Sequence, residues 1–334
     1  MPLPLSVLDQ SPILSGETPA DAVAATIALA RHAERLGYSR YWLAEHHAMG
    51  GLADASPEVL LARLTAETST IRLGSGGIML PHYPPFKVAE AFRMLEALAP
   101  GRIDLGIGRA PGGTGLVNAA LESRDVSTFP DQIRETIDFL EGSMPAHSPF
   151  ARLAAMPSGT TSPEVWLLGS SEYGALLAAE LGLPYTFAQF IGGEAPSLVR
   201  AYRERYRPSA RYPQPRAMLA LSAIVAPTDA EAEALALPIA LWRMRLLRGR
   251  SGPVPSLAEA EAYPWTPLER REVALTRRVI AGSPGTVRER IEETARVHGA
   301  DEVMVVTIVP DTASRMRSYA LLAAEFALGA VVAA

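Results

Sequence analysis

Residues 18–44 read TPADAVAATIALARHAERLGYSRYWLA and combine a helix, a glycine and an apolar strand in one unit. Thr18 is placed to cap the helix, with Pro19 at its first position and Asp21 at its third. Apolar residues recur at helical spacing at Val23, Ile27, Ala30 and Ala33. Gly37 suits the left-handed conformation that ends a helix, and the run after it predicts a strand.

The same order of helix, glycine and strand returns twice along the chain. Residues 178–182 precede the apolar run 185–188, and residues 294–299 precede the run 302–306. We predict strands that begin near Leu5, Tyr41, Ile71, Arg102, Glu164, Tyr185, Ala217 and Glu302. Most are continuously apolar, as in a parallel sheet covered by helices on both faces. About eight strands alternating with helices predict an α/β protein, a single (β/α)8 TIM barrel over residues 1–334.

A doubly wound open sheet is the alternative fold. No Gly-x-Gly-x-x-Gly sequence opens the first helix, which counts against a dinucleotide-binding half. Three stretches interrupt the alternation, namely residues 110–128, 142–163 and 248–265, which are rich in small residues and proline. We expect them to be loops, and we expect insertions at the carboxyl face of the barrel.

Composition and charge exclude several functions. The formal net charge is −5, so the chain lacks the basic field that a nucleic-acid surface needs. The absence of cysteine excludes disulfides, thiolate metal sites and cysteine nucleophiles. Residues 1–5 do not resemble a signal peptide, and the apolar C-terminal stretch 319–334 is too short to span a membrane. We therefore expect a cytoplasmic protein without a membrane partner.

Polar and glycine residues gather where the predicted strands end, at the face that carries the active site of such barrels. Gly169, Ser170 and Ser171 stand between a strand and a helix, where free backbone N–H groups and hydroxyls favour an anion. An ordinary serine cap is the alternative. Arg109 ends the neighbouring strand, and its guanidinium can bind a phosphate through two hydrogen bonds. The glycines and Pro111 around it leave room for a ligand.

Gly76 and Gly77 lie inside a predicted strand, where glycine weakens a sheet. Such glycines mark either the close approach of a ligand or a bulge in the sheet, and both interpretations stay open.

His46 and His47 raise the question of a metal site. Adjacent strand residues point to opposite faces, so the two rings are poorly placed to share one ion. His82 is a candidate third ligand, but no accompanying set of carboxylates is evident. We therefore predict no metal, and we expect one histidine to act as an acid, a base or a hydrogen-bond donor. A purely structural histidine is the alternative.

Five stretches together resemble the bacterial luciferase-like flavin-dependent monooxygenases. They are LDQSP at 8–12, RYWLAEHH at 40–47, IRLGSGGIMLP at 71–81, RIDLGIGRAPG at 102–112 and LGSS at 168–171. The segment 299–326 is also similar, so the resemblance covers nearly the whole chain and includes the family's luciferase-like oxidoreductase branch. No single motif is decisive, but their shared order is specific.

The resemblance implies a (β/α)8 barrel, usually a homodimer, that uses reduced FMN or, in one branch, the deazaflavin F420. Arg109, Ser170 and Ser171, with Gly169, are then expected to bind the phosphate. Gly76 and Gly77 would lie against the flavin ring, joined by a non-proline cis peptide. Asp9 and Gln189 would line the ring edge. His46 would be the catalytic residue near flavin C4a, where O2 adds to form a hydroperoxide.

The resemblance also implies partners. A separate flavin reductase would supply FMNH2, and a hydrophobic organic substrate would be oxygenated, for which we suggest an aromatic polyketide of secondary metabolism. Residues 248–265 correspond to the mobile lid of luciferase, although their sequence does not match it. The reactive cysteine of luciferase is absent. The alternatives are an F420-dependent oxidoreductase, a flavin-binding protein without catalysis and a metal-dependent barrel hydrolase.

Overall fold

A computed structural model describes residues 3–110 and 112–331 of the chain. Expectations that fall on Met1, Pro2, Pro111 and residues 332–334 lie outside the described residues.

The strands follow the predicted order closely. They are β1 (Leu5–Asp9), β2 (Arg40–Leu43), β3 (Arg72–Met79), β4 (Ile103–Gly108), β5 (Glu164–Gly169), β6 (Tyr185–Ala188), β7 (Ala217–Val225), β8 (Val279–Gly282) and β9 (Glu302–Val306). Each of the eight predicted starts lies within one residue of an observed strand. The strand β8 was not predicted, because four residues between two arginines and a Ser-Pro pair carry too weak a pattern.

The helices complete the alternation. They are α1 (Pro19–Leu36), α2 (Pro57–Glu67), α3 (Pro85–Leu98), α4 (Gly115–Ala120), α5 (Phe129–Glu141), α6 (Glu172–Leu181), α7 (Gln189–Gly192), α8 (Pro196–Glu204), α9 (Asp229–Leu247), α10 (Leu257–Ala262), α11 (Pro267–Thr276), α12 (Pro284–His298) and α13 (Thr312–Glu325). Within the described residues, none of these helices is both long enough and apolar enough to span a membrane.

Eight of the strands close into a parallel barrel, which confirms the predicted (β/α)8 fold. The strands β1 to β6 pair in sequence order, β7 pairs with β6, and β9 joins β7 to β1. The strand β8 pairs with the second half of β7, at residues 222–225, and is not needed for closure. A closed parallel ring leaves no free sheet edge and brings all the carboxyl ends of its strands to one face.

The first helix forms as its sequence predicts. The Thr18 side chain accepts a hydrogen bond from the backbone of Asp21, whose carboxylate accepts from the backbone of Thr18 in return. Gly37 ends the helix at a φ of 84°, which a residue with a side chain rarely adopts. These signals fix where the chain leaves α1 and enters β2.

Two of the predicted loops contain helical structure. Residues 110–128 include α4 and a 3-10 turn at Val126–Thr128, and residues 248–265 include α10. Their glycines and prolines favour the interpretation as loops, but short helices form beside them and pack on the barrel. Residues 142–163 contain no helix or strand, as predicted.

The amino-terminal ends of the strands carry a buried network of charges. Arg40 pairs with Asp104, Glu164 and Glu302 at 2.8, 3.2 and 3.1 Å, and Arg72 pairs with Asp104 at 2.5 Å. Buried charges need such partners because an unpaired ion in a low-dielectric interior is costly. This network of ion pairs fills the amino-terminal end of the barrel, opposite to the face where the strands end.

Candidate active site

A cavity of about 230 Å³ opens at the carboxyl ends of β3 to β6. Six of the nine predicted site residues line it, namely Gly76, Gly77, Arg109, Gly169, Ser170 and Ser171. The remaining wall is mostly apolar and includes Leu8, Phe129, Phe190 and Met304. The structure therefore brings the predicted phosphate loop and the predicted glycine pair to one cavity.

One end of the cavity is suited to an anion. Ser171 is the N-cap of α6, yet its hydroxyl makes no capping hydrogen bond, so it and the first N–H groups of the helix are available. Arg109 is exposed at the end of β4, and its guanidinium carbon lies 4.2 Å from the ring centroid of Tyr173 in α6. Stacking on Tyr173 holds this positive charge beside the helix terminus.

Gly76 and Gly77 lie at a bulge in the sheet and also line the cavity, so the two interpretations that the sequence left open apply together. The Gly76–Gly77 peptide is cis, and the pairing of β3 with β4 shifts register between Gly76 and Ile78, as in a bulge. A Cβ at Gly77 would lie 2.7 Å from the carbonyl oxygen of Gly106. Both glycines also line the cavity. The same two small residues thus allow close packing of the barrel and form part of the cavity wall.

Thr186 belongs to this cavity and was missed by the sequence analysis. It lies in β6, lines the cavity, is fully buried, and its hydroxyl has no hydrogen-bond partner among the described residues. A buried hydroxyl without a partner is unfavourable unless a ligand or water satisfies it. The sequence offered one signal for this position. Side chains alternate along β6, so Thr186 lies on the same face as Ala188 at the carboxyl end of the strand.

Asp9 does not line the cavity. Its fully buried carboxylate pairs with Arg315 of α13 at 2.6 Å and accepts hydrogen bonds from Tyr41 and from the backbone of Ser11. Burial by itself raises the pKa of Asp9, but the charge of Arg315 and these hydrogen bonds lower it overall. Leu8, one residue earlier, lines the cavity instead, since successive strand residues point to opposite faces.

Gln189 also lies apart from this cavity. Its amide nitrogen donates to Glu194 at 2.7 Å, and its amide oxygen is buried without a partner among the described residues. It lines a separate cleft on the outer side of the barrel rim, with Arg290 and Thr294 of α12.

His46 follows the carboxyl end of β2 and is partly buried, but its ring does not line the cavity. Its Nδ1 lies 3.3 Å from the carbonyl oxygen of Ala44. Burial is the main cause that lowers the pKa of His46, to about 4, and neighbouring His47 adds to it. The imidazole is therefore neutral near pH 7, with one ring nitrogen able to donate a hydrogen bond and the other able to accept one.

A second polar cluster surrounds His47. Its Nε2 lies 2.6 Å from the buried carboxylate of Glu45, which also accepts from Tyr83 and from the backbone of Met79. Ligand atoms of Glu45, His47 and His82 all lie within 4.8 Å of one another. The sequence analysis noted the absence of a set of carboxylates, and the structure places one carboxylate, that of Glu45, beside His47 and His82. The 2.6 Å separation is that of a hydrogen bond, since two ligands of one zinc ion stand further apart.

The segment 248–265 packs over the loops that follow β1 and β2. Val254 is buried and exchanges backbone hydrogen bonds with Ile13 and Ser15, both 2.8 Å. Trp242 of α9 donates to the carbonyl of Gly252, also at 2.8 Å. These contacts hold the segment against the carboxyl face of the barrel.

The family of this chain is shown by its sequence. The model of the family described as "Luciferase-like monooxygenase" matches residues 5–302. The chain belongs to this family. As a member of the luciferase-like monooxygenases, it is an oxidoreductase.

Relatives in the family align over almost the full length. A "Luciferase-like monooxygenase" of Escherichia coli is 39% identical over 325 residues, which cover 95% of each chain. An "N-acetyl-S-alkylcysteine monooxygenase" of Bacillus subtilis is 38% identical over 324 residues, covering 95% of this chain and 96% of the relative.

Solved structures support the same family fold. The crystal structure of apo-MsnO8 superposes with a TM-score of 0.90 at 40% identity, with 98% of both chains covered. At the level of fold alone, two more distant structures are similar. The first is the oxygenating constituent of 3,6-diketocamphane monooxygenase of Pseudomonas putida in complex with FMN, with a TM-score of 0.71, 20% identity, and 97% of this chain and 98% of that chain covered. The second is an F420-dependent secondary alcohol dehydrogenase in complex with an F420-acetone adduct, with a TM-score of 0.68, 16% identity, and 98% of this chain and 99% of that chain covered. Neighbours of this fold thus bind a flavin or a deazaflavin.

Proposed function

We propose that this chain is the oxygenating component of a two-component system, which binds FMNH2 and uses O2 to oxygenate a hydrophobic organic substrate. The observation that carries the proposal is the anion site formed by Arg109 and the amino terminus of α6 at one end of an apolar cavity. Reduced FMN would supply the two electrons that O2 activation needs.

The residues of the cavity fit such a cofactor. Its phosphate would be held by Ser170, Ser171 and Arg109, since a dianion gains from both a guanidinium and a helix amino terminus. The ring would lie against Gly76 and Gly77, where no side chain stands in the way. The buried hydroxyl of Thr186 needs a polar partner, which a flavin ring provides.

His46 is our candidate for proton transfer at the reacting end of the site. It follows the carboxyl end of β2, at the face of the barrel where the cavity opens, although its ring does not line the cavity in this structure. Because its pKa is near 4, the ring is neutral at pH 7, so one ring nitrogen would donate a hydrogen bond to a reacting group while the other accepts one.

Residues 248–265 are our candidate for a lid. They cover loops at the carboxyl face and would exclude water from the reaction, a role that prevents wasteful side reactions. The apolar cavity wall supports a hydrophobic substrate, and an aromatic polyketide in secondary metabolism stays our suggestion. We place the enzyme in the cytoplasm with a separate flavin reductase.

Anaerobic titration with FMNH2, FMN and riboflavin tests the cofactor proposal. We expect FMNH2 to bind well and riboflavin, which lacks the phosphate, to bind far more weakly. Replacing Arg109→Met should weaken binding of FMNH2 by about ten- to a hundredfold, since a charge-assisted hydrogen bond contributes about 1.5–3 kcal/mol. Riboflavin is the matched control, and its affinity should be the same for the wild type and the variant.

Rapid mixing of the FMNH2 complex with oxygenated buffer then tests the reaction. We expect a transient absorbance that differs from both reduced and oxidised FMN, and that decays faster in His46→Ala. Oxidation at the rate of free FMNH2 in the wild type would contradict the monooxygenase proposal. Tight binding of F420 with no affinity for FMNH2 would instead assign the chain to the deazaflavin branch, and tight binding of oxidised FMN without turnover to a flavin-binding protein.

A further inference from the structure

A second cavity, of about 360 Å³, lies beside the proposed cofactor site. It is formed by α9, α11 and the start of β8, and Ile191 of α7 lines both cavities. Much of its wall is apolar, through side chains such as Ala236, Ile239 and Met244. A ligand in this second cavity would therefore be separated from the cofactor site by little more than one side chain.

Two arginines in the wall of this cavity lack an acidic partner among the described residues. Arg243 and Arg278 line it, and among the described residues neither guanidinium has a hydrogen bond or a carboxylate within 4.0 Å. The two glutamates that also line it are already engaged. Glu233 forms two hydrogen bonds with Arg277, at 2.6 and 2.9 Å, and Glu272 lies 3.8 Å from Arg248. Two positive charges thus face the same space without a counter-ion.

The position of Arg243 disfavours its positive charge. Arg243 is partly buried, and burial followed by the charge of Arg278 lowers its pKa. The guanidinium of Arg278 packs so closely on Gly193 that a Cβ there would collide with it. An oxyanion between the two guanidiniums would relieve both the desolvation and the repulsion.

We propose that this cavity binds a small amphipathic substrate, with its carboxylate or other oxyanion between Arg243 and Arg278 and its apolar body against α9. The proposal rests on the proposed function, because it defines the substrate class of that enzyme: an apolar compound with an anionic head group. The cofactor phosphate has its own site at Arg109, on the other side of Ile191. The second cavity is therefore assigned to the substrate.

Isothermal titration of the full chain with octanoate and with 1-octanol tests this assignment. The two probes share an apolar body and differ in the anionic head. We expect octanoate to bind at least tenfold more tightly than 1-octanol, and this difference to disappear in the Arg243→Met, Arg278→Met double variant. The matched control is Arg296→Gln, which removes the same charge from an exposed position in α12 and should change nothing.

Thermal unfolding without ligand supplies a second readout. Arg243→Met should raise Tm because it removes a desolvated charge next to a like charge, whereas a purely structural arginine would lower Tm when replaced. Equal binding of octanoate to the wild type and the double variant, or equal binding of octanoate and 1-octanol, would overturn the proposal. These titrations are made without flavin, so their outcome does not depend on the cofactor assignment. Unchanged FMN affinity in the double variant is expected, and its loss would assign the arginines to the cofactor.

Discussion

Asp54 is a buried carboxyl group that the proposed chemistry does not use. It is 4% exposed, and one of its oxygens has no hydrogen-bond partner among the described residues. Burial is the main cause that raises the pKa of Asp54 from its ordinary value of 3.8 to about 7, and Asp9, Glu58 and Glu45 add to it. The folded state therefore holds a proton on Asp54 more strongly than the unfolded chain does.

This shift predicts how Asp54 affects stability. A raised pKa means that Asp54 disfavours the folded state progressively as pH rises from 3.8 to about 7, and by its full amount above that range. We expect Asp54→Asn to increase the free energy of unfolding by roughly 1–3 kcal/mol at pH 8 and by less at pH 5. Urea unfolding at the two pH values measures the difference. An equal effect at both would contradict a titrating Asp54.

Asp9 and Arg315 show that a sequence motif does not reveal which distant residue its side chain contacts. The sequence motif that contains Asp9 was correctly associated with the family, but the carboxylate itself is engaged by α13. Arg315 lies 306 residues further along the chain, and no local pattern pairs the two. Arg109, Ser170 and Ser171 were easier to predict, because strand ends and helix starts lie next to them in sequence.

At the scale of elements, β3 combines a structural bulge with the cavity floor. A Cβ at Gly77 would meet the backbone of Gly106 at 2.7–3.0 Å, and backbone in a closed barrel does not move easily. A Cβ at Gly76 would lie 2.7 Å from Leu8 Cδ1, the far end of a side chain that can rotate. The two glycines therefore differ in how well they tolerate an added methyl group.

This difference gives a paired prediction for β3. We expect Gly77→Ala to lower the free energy of unfolding by about 1–3 kcal/mol, as overpacking does, and Gly76→Ala to cost less. Both variants should weaken FMN binding, since both residues line the cavity. Chemical unfolding and FMN titration measure the two effects. A larger stability loss in Gly76→Ala than in Gly77→Ala would show that the β4 backbone is not the obstacle.

At the scale of the whole molecule, apolar side chains are exposed on neighbouring helices. Val59 of α2 is 68% exposed, and Met94 and Leu98 of α3 are 53% and 54% exposed. Val59, Met94 and the exposed Met156 line a shallow depression. An exposed apolar patch of this kind is typical of a protein interface. The family resemblance implies a homodimer, and we propose that α2 and α3 form its contact.

The dimer proposal predicts the effect of a charge in this patch. Met94→Arg places a guanidinium at the centre of the proposed contact, so we expect a dimer for the wild type and a monomer for the variant. The matched control is Leu268→Arg, because Leu268 of α11 is 75% exposed on another face. Light scattering after size-exclusion chromatography measures the masses. A monomeric wild type, or a Met94→Arg variant that stays a dimer, would exclude this interface.

Although β8 and the short helices α4 and α10 were not predicted, the sequence alone determined the eight barrel strands, their order and the closed parallel barrel. These follow from local signals, such as the caps of α1 and the continuous apolar runs of the strands, which act within a few residues. It also predicted that Arg109, Ser170 and Ser171 lie at one face, because helix and strand boundaries locate them there, and the structure places all three at one cavity.

Only the tertiary structure decided which neighbour on each strand faces the cavity and which distant charges meet. A shift of one residue reverses the face, which is why Leu8 lines the cavity and Asp9 does not. Arg40 forms an ion pair with Glu302, which is far away in sequence. Arg243 and Arg278 line the same cavity, and no local sequence pattern relates either of these two pairs of positions. Such contacts depend on barrel closure and on helix packing, which are properties of the folded chain as a whole.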